Sequence, residues 1–229
     1  MSEKILNSKK NAGCYAAELV KSGDVVGLGT GSTVLYSMER LSERIKSEGL
    51  EIKGVPTSFQ TASRARALGI PLTTLYDCPE IDIAIDGADQ VDPSGNLIKG
   101  RGAAQTRERC VASAAKRFIV IVDEAKLTQT LSSPVPVEVI SFALPLLYRV
   151  VKSLGGVVKV REGVKKDGPV ITDNGCIETD CNFGEIDDPE KLQTGLNNVP
   201  GVLSCGLFTE FREKIVVVVG DEAGTRILC

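Results

Sequence analysis

A chain of 229 residues with 42% hydrophobic and 25% charged residues can form one or two globular domains with a buried core. The net charge of −3 and the dispersed lysines and arginines argue against a nucleic-acid-binding groove, and no apolar run approaches the ~18 residues of a membrane-spanning helix. Because the N-terminal segment also lacks the apolar core of a signal peptide, we expect a cytosolic protein with neither membrane nor nucleic-acid partners.

The first half of the chain alternates predicted helices and strands. In chain order we expect helix 5–21, strand 24–28, helix 33–47, strand 51–55, helix 59–69, strand 81–86, helix 103–116 and strand 117–123. Ser32 is a candidate N-cap for the second helix. Strands separated by helices predict an α/β fold with an open, mostly parallel sheet and helices on both faces, which is a Rossmann-like arrangement.

The pattern changes after residue 131. We expect strand 135–140, helix 141–155, strand 157–162, a hairpin at Asn174-Gly175, helix 187–201 and strand 202–208. This order predicts a ferredoxin-like α+β domain over 132–208. The apolar strand 214–220 is expected to return to the first sheet, so residues 1–131 and 209–229 form the predicted Rossmann-like catalytic domain, into which the second domain is inserted.

Histidine is absent from the sequence, which excludes Ser-His-Asp, Cys-His and histidine-ligated metal schemes. An enzyme of this composition must transfer protons through carboxylates, lysine, tyrosine or cysteine. The cysteines are scattered without a C-x-x-C spacing, so we expect small buried hydrophobic residues in a reducing compartment; they are Cys14, Cys78, Cys110, Cys176, Cys181, Cys205 and Cys229.

Four polar clusters lie at predicted strand ends or at a helix start: "GTGST" (29–33), "TS" (57–58), "DGAD" (86–89) and "KGRGAAQT" (99–106). Ligands of open parallel sheets bind beyond the carboxyl ends of the strands, and glycine loops at helix starts expose N–H groups to anions. The first loop is not a dinucleotide fingerprint, because Ser32 replaces the third glycine, and it is not a P-loop. Its hydroxyls suit one terminal phosphate, although a capped turn without a ligand is an alternative.

Each candidate catalytic side chain has two interpretations at this point. Asp86 and Asp89 could recognise hydroxyls and transfer protons, or satisfy the amides of a turn. Lys99 could stabilise an oxyanion or be a solvated cation. Glu108 lies between two arginines, and its spacing alone favours a carboxylate on a helix surface.

Taken together, "GLGTGST", "IDGADQVD", "KGRGAAQTRER" and "VDEAK" occur in the order and at about the spacings of the type A ribose-5-phosphate isomerases. With "PVPVEV", "VITDNG" and "PGVLSCGLF", the chain resembles this family over nearly its whole length. The resemblance implies an aldose-ketose isomerase that interconverts ribose 5-phosphate and ribulose 5-phosphate through an enediolate, in the non-oxidative pentose phosphate pathway. It also implies that no metal or organic cofactor is needed and that the protein is a homodimer or homotetramer.

The resemblance implies roles for individual residues. Glu108 matches the proton acceptor, Lys99 the group that stabilises the enediolate, and Asp86 the group that assists ring opening. The implied substrate-binding residues are Thr30, Gly31, Ser32, Thr33, Asp86, Gly87, Ala88, Asp89, Lys99, Gly100, Arg101, Gly102 and Lys126. Lys9 falls near a phosphate-side lysine of the family.

Arg101 departs from the family pattern, because it stands where the family has glycine. A left-handed backbone angle would cost an arginine about 1 kcal/mol or more, so we expect either an ordinary angle or a shifted loop. Its side chain is then left for phosphate or for a subunit interface.

Two other functions fit the same architecture: a non-catalytic sugar-phosphate sensor and an enzyme similar to coenzyme A transferases. A sensor would bind ribose 5-phosphate without exchanging its C2 proton and would usually carry a nucleic-acid-binding helix pair, which the sequence does not show. A transferase would need a nucleophilic glutamate and a larger nucleotide cleft. Formation of ribulose 5-phosphate without added metal would separate the three.

Overall fold

The computed structural model describes residues 3–228, which form two compact units. The first unit contains the described chain up to Ala88, the segment Cys110–Lys126 and the chain from Glu213 onward. The second unit contains Asp89–Arg109 and Leu127–Arg212. The expected insertion 132–208 lies within the second unit, which also takes in residues 89–109, and its domain limits stay a prediction.

The secondary structure follows the expected order with shifts of a few residues. The helices are α1 (Glu3–Glu18), α2 (Ser32–Glu48), α3 (Phe59–Ala67), α4 (Gln105–Ala114), α5 (Leu144–Ser153) and α6 (Pro189–Asn197). The strands are β1 (Val25–Leu28), β2 (Lys53–Pro56), β3 (Ile81–Gly87), β4 (Gln90–Val91), β5 (Leu97–Ile98), β6 (Ala115–Asp123), β7 (Val135–Val139), β8 (Val157–Val160), β9 (Ile177–Asn182), β10 (Val202–Cys205), β11 (Leu207–Phe208), β12 (Ile215–Gly220) and β13 (Thr225–Ile227).

The sheet of the first unit has the strand order β13-β12-β6-β3-β1-β2, and its pairs are parallel except that of β12 with β13. The apolar strand at 214–220 does return to this sheet, where β12 pairs with β6. Helices α1 and α2 pack closely, since a Cβ at Gly13 would lie 2.8 Å from the Cβ of Tyr36. The predicted α/β fold class is confirmed, and the carboxyl ends of five parallel strands meet at one edge.

The second unit contains a four-stranded antiparallel sheet in the order β10-β7-β9-β8. With α5 between β7 and β8, and α6 between β9 and β10, this is the ferredoxin-like arrangement. One face packs against the two helices through an apolar core that includes Val135, Val137, Val139, Leu147, Cys181 and Leu196. The alternate residues Pro136, Glu138, Glu178 and Asp180 belong to the opposite face.

The expected single strand 202–208 is wrong, because the chain changes sheets within it. Residues of β10 pair with β7, whereas β11 pairs with β5 in a separate three-stranded sheet of order β11-β5-β4. Gly206 lies at the break, where a Cβ would lie 2.1 Å from the carbonyl oxygen of Lys99. Two-residue strands such as β4 and β5 are too short to produce an alternating pattern.

Three smaller predictions can be compared with the structure, and one of them is confirmed. Ser32 is not the N-cap of α2 but its first residue, and Gly31 takes the cap position with φ +141°. The hairpin at Asn174-Gly175 is present, with Gly175 at φ +79°. Cys110 is exposed, which contradicts its expected burial, because it lies on an outer face of α4.

Of the remaining cysteines, Cys176, Cys181 and Cys205 are buried as expected, Cys14 and Cys78 are partly buried, and Cys229 lies outside the described residues. None of the helices within residues 3–228 combines the length and apolar character needed to cross a membrane.

Candidate active site

The loop at residues 29–33, which joins β1 to α2, requires glycine at two positions. A Cβ at Gly29 would lie 2.1 Å from Oδ1 of Asp86, and Gly31 has φ +141°, a conformation that residues with a side chain rarely adopt. Ser32 and Thr33 then begin α2, whose first N–H groups have no partner within the helix and carry its positive dipole end. This loop therefore presents a site suited to an anion.

Hydroxyl groups from the end of β2 and the start of α3 support this loop. Thr30 Oγ1 lies 2.9 Å from Thr57 Oγ1 and donates to Ser58 Oγ at 2.8 Å. Thr61 Oγ1 donates to the carbonyl oxygen of Gly29 at 2.8 Å. The "TS" cluster thus contacts the "GTGST" cluster, and the Thr30 hydroxyl serves to hold the loop.

Asp86 ends up buried at the carboxyl end of β3, where Oδ1 accepts hydrogen bonds from the N–H of Thr30 at 3.2 Å and of Gly87 at 2.8 Å. Lys9 reaches the same loop from α1, and its Nζ donates to Ser32 Oγ at 3.0 Å. Lys126 ends a short 3-10 helix (Glu124–Lys126) directly after β6, at the same sheet edge, and is partly buried. Within the first unit, Asp86 is thus hydrogen-bonded to the loop that follows β1.

Lys99 and Glu108 form a buried ion pair in the second unit. Lys99 Nζ lies 3.0 Å from Glu108 Oε2, and the side chains are 2% and 5% exposed. Glu108 is in the first turn of α4, and its burial rules out the helix-surface interpretation. Lys99 follows β5 directly, and its N–H donates to the carbonyl oxygen of Gly206 at 2.8 Å.

The ring of Phe208 on β11 lies beside two cationic side chains, those of Lys99 and Arg109. Lys99 Nζ is 5.5 Å from the ring centroid, and the guanidinium carbon of Arg109 is 4.2 Å from it. Arg109 donates to Ser204 Oγ at 2.8 Å, to the carbonyl oxygens of Cys205 and Leu207, and pairs with Glu210. The sequence interpretation had not singled out Arg109, and its only signal was its place directly after Glu108.

The segment 99–103 bends through two left-handed residues, and Arg101 is not one of them. Gly100 has φ +107° and Ala103 has φ +55°, whereas Arg101 has an ordinary angle, the first of the two expected alternatives. The N–H of Arg101 donates to Asp89 Oδ2 at 2.9 Å, and its exposed side chain lies 3.8 Å from Asp89 Oδ1. The departure from glycine is therefore tolerated without backbone strain at that residue.

Other candidate residues are placed by these elements. Gly87 ends β3, Ala88 follows it, and Gly102 is exposed. Within residues 3–228 no group of three or more cysteine, aspartate and glutamate side chains is arranged to hold a metal ion.

Comparison with known proteins agrees with the motifs. The family model described as "Ribose 5-phosphate isomerase A (phosphoriboisomerase A)" matches residues 53–224. The chain belongs to the ribose 5-phosphate isomerase A family. It is 54% identical over 227 residues to the ribose-5-phosphate isomerase A of Methanoregula boonei, covering 99% of this chain and 95% of that relative.

Solved structures of this family have the same fold. Ribose 5-phosphate isomerase A of Methanocaldococcus jannaschii is 42% identical, with a TM-score of 0.90 and 96% of each chain covered. A D-ribose-5-phosphate isomerase in complex with phospho-erythronic acid is 41% identical, with a TM-score of 0.93 and 99% of each chain covered. The resemblance inferred from the motifs is confirmed.

Proposed function

We propose that this chain is an isomerase that interconverts ribose 5-phosphate and ribulose 5-phosphate, as its family name states, in the non-oxidative pentose phosphate pathway. Its membership of the ribose 5-phosphate isomerase A family supports this reaction. The structural observation that carries the proposal is the buried pair of Lys99 and Glu108, with 3.0 Å between ammonium and carboxylate. Such a pair offers a base and a cation side by side, which is what an enediolate reaction requires.

In this mechanism Glu108 moves the proton. Its carboxylate removes the C2 proton of the open-chain aldose, the C2 electron pair forms the C1–C2 double bond of the enediolate, and the charge passes to the carbonyl oxygen at C1. The same carboxyl group then returns the proton to C1, while the C2 hydroxyl gives up its proton and becomes the ketone and the oxygen at C1 takes up a proton and becomes a hydroxyl. One carboxyl group is sufficient because the proton is removed from and delivered to adjacent carbons.

Lys99 supplies the positive charge for the developing oxyanion. Its ammonium has three donors, so it can keep its ion pair with Glu108 while it donates to a substrate oxygen. Burial strengthens this interaction, since water does not screen it. The backbone hydrogen bond from the N–H of Lys99 to the carbonyl oxygen of Gly206 fixes the main chain from which the Lys99 side chain projects.

The loop at residues 29–33 binds the 5-phosphate in this proposal. Its ligands are the N–H groups and hydroxyls of Ser32 and Thr33 at the start of α2, with the ammonium of Lys9 alongside. Gly31 gives the loop its shape, and Thr30 holds it through the hydroxyls of β2 and α3.

The remaining assignments rest on the family pattern. We assign ring opening to Asp86 and substrate contacts to Gly87, Ala88, Asp89, the segment 99–102 and Lys126. The cytosolic location stays a prediction from the sequence, and the homodimer or homotetramer and the independence of any cofactor stay predictions from the family resemblance.

The proposal is tested by incubating the protein with ribose 5-phosphate in the presence of EDTA and following ribulose 5-phosphate. Metal-independent formation of the ketose is expected. Binding of ribose 5-phosphate without exchange of its C2 proton would instead favour the sensor, and transfer of an acyl group from a coenzyme A thioester would favour the transferase.

A further inference from the structure

The face of the four-stranded sheet that lies opposite α5 and α6 carries two buried carboxylates side by side. Glu138 on β7 and Glu178 on β9 are direct cross-strand partners, and both are fully buried. Glu138 accepts hydrogen bonds from Asn174 Nδ2 at 3.1 and 3.2 Å and from the hydroxyl of Thr172. Buried carboxylates are costly unless they are hydrogen-bonded, so the partner of Glu178 matters.

That partner is Gln105, the first residue of α4. Its Nε2 donates to both carboxylate oxygens of Glu178, at 2.8 and 2.9 Å, and the side chain is fully buried. Gln105 stands three residues before Glu108, so the two side chains project from the same face of the helix. The hydrogen bonds to Glu178 therefore fix the turn that carries the proposed base.

Strand β9 is also linked, through Arg161, to the segment that follows Lys99. Arg161 donates to the carbonyl oxygens of Gly100 at 3.0 Å and Arg101 at 3.1 Å, and its Nε donates to Asp180 Oδ2 at 2.9 Å. Asp180 lies two residues after Glu178 on β9, on the same face. Both members of the Lys99–Glu108 pair are thus tied to one strand.

We propose that Gln105 is a positioning residue, whose amide, held by Glu178, sets the Glu108 carboxylate against the Lys99 ammonium. This inference rests on the proposed function. A neutral amide is suited to positioning Glu108, because a cation at position 105 would compete with Lys99 for the Glu108 carboxylate. Burial also raises the pKa of Glu178 to about 8, and a neutral amide remains compatible with either protonation state of that carboxyl.

The test exchanges the two side chains of this hydrogen bond. Gln105→Glu places a second carboxyl group against Glu178, and we expect kcat for ribose 5-phosphate to fall at least about 10-fold with KM changed less than about 2-fold. Adding Glu178→Gln restores an amide facing a carboxyl, so the double variant should recover to within about 3-fold of the wild type. Gln129→Glu, at an exposed position of the same unit, is the matched control.

Crystal structures of the two variants provide a readout that does not depend on activity. The 3.0 Å distance between Lys99 Nζ and Glu108 Oε2 should lengthen beyond hydrogen-bonding range in Gln105→Glu and return in the double variant. If Gln105→Glu does not fold, Gln105→Ala removes the hydrogen bonds without adding charge and should show the same split between kcat and KM.

An unchanged kcat and distance in Gln105→Glu, or a loss that Glu178→Gln does not repair, would overturn the positioning role. A wild-type protein that does not isomerise ribose 5-phosphate would instead overturn the proposed function, and the distance would still decide whether Gln105 positions the pair.

Discussion

The ammonium of Lys99 and the carboxylate of Glu108 lie 3.0 Å apart, and both side chains are almost wholly buried. The two residues come from different elements, since Lys99 follows β5 and Glu108 belongs to the first turn of α4. Removing two charges from water usually costs as much as their attraction returns. A pair of this kind is therefore better explained by its chemistry than by a contribution to folding.

Replacing Lys99 separates the contribution of the ion pair to catalysis from its contribution to stability. Lys99→Met leaves the Glu108 carboxylate buried without its counter-charge, and we expect the free energy of unfolding to fall by about 3 kcal/mol and kcat by about 100-fold or more. In Lys99→Met/Glu108→Met both charges are gone, so stability should recover while activity stays absent. Urea denaturation and steady-state kinetics measure the two effects. Recovery of activity in the double variant would show that the pair is structural.

Gly206→Ala tests how Lys99 is held. The new Cβ would lie 2.1 Å from the carbonyl oxygen of Lys99 and 2.7 Å from Pro136 Cδ, so the backbone must move. We expect a loss of about 3 kcal/mol in the free energy of unfolding, as for other overpacked sites, and a lower kcat. Gly224→Ala is the matched control, because a Cβ there meets no atom within 4 Å. Equal effects of the two substitutions would contradict this account.

Gly31→Ala tests the proposed phosphate loop. Alanine is strained at φ +141°, so the loop must change shape, and we expect KM for ribose 5-phosphate to rise about 10-fold or more with a smaller change in kcat. Gly49→Ala, at the left-handed C-cap of the same helix, also places an alanine at a positive φ, but at the other end of α2. Its KM should not change. A similar rise in KM for both variants would show a general effect on α2 instead of phosphate binding.

The pH dependence of stability tests the environment of Glu178. Burial raises the pKa of this carboxyl from 4.5 to about 8 in the folded state, so the folded protein binds the proton more tightly than the unfolded chain. The resulting stability is present below about pH 4.5 and is lost as the pH rises through about 8. Glu178→Gln should therefore be less affected by pH than the wild type between pH 5 and 8. Urea denaturation at both pH values checks this, with exposed Glu185→Gln as the control; parallel pH profiles for wild type and Glu178→Gln would refute it.

The parallel sheet could be predicted from the sequence because its strands are apolar runs separated by amphipathic helices. The return of β12 to that sheet followed from the same logic, since a uniformly apolar strand must be covered on both faces. The three-stranded sheet could not be predicted, because strands of two residues leave no periodic signal. Gly206, at which the chain passes from one sheet to the other, lies within the segment predicted as one strand, and nothing in that segment indicated the change of sheet.

The candidate site was only partly predictable for a related reason. Glu108 and Lys99 were found through the motifs, whereas spacing alone favoured an exposed carboxylate between two arginines. Gln105 contacts Glu178, which is 73 positions away in the chain, and Arg161 contacts Gly100, which is 61 positions away. No local sequence pattern indicates contacts of this kind. Arg101 takes the ordinary angle, the first of the two expected alternatives, because the turn places the left-handed angles at Gly100 and Ala103.

The role of Glu108 is tested by following, with proton NMR, the isomerisation of ribose 5-phosphate in D₂O by the wild type and by Glu108→Gln. If Glu108 transfers the proton, the wild type forms ribulose 5-phosphate with solvent deuterium at C1. Glu108→Gln, folded and still binding the substrate, should form ribulose 5-phosphate and incorporate deuterium more slowly than the wild type, each by about 1,000-fold or more. Isomerisation by Glu108→Gln within about 10-fold of the wild-type rate would contradict the assignment of Glu108 as the proton-transferring base.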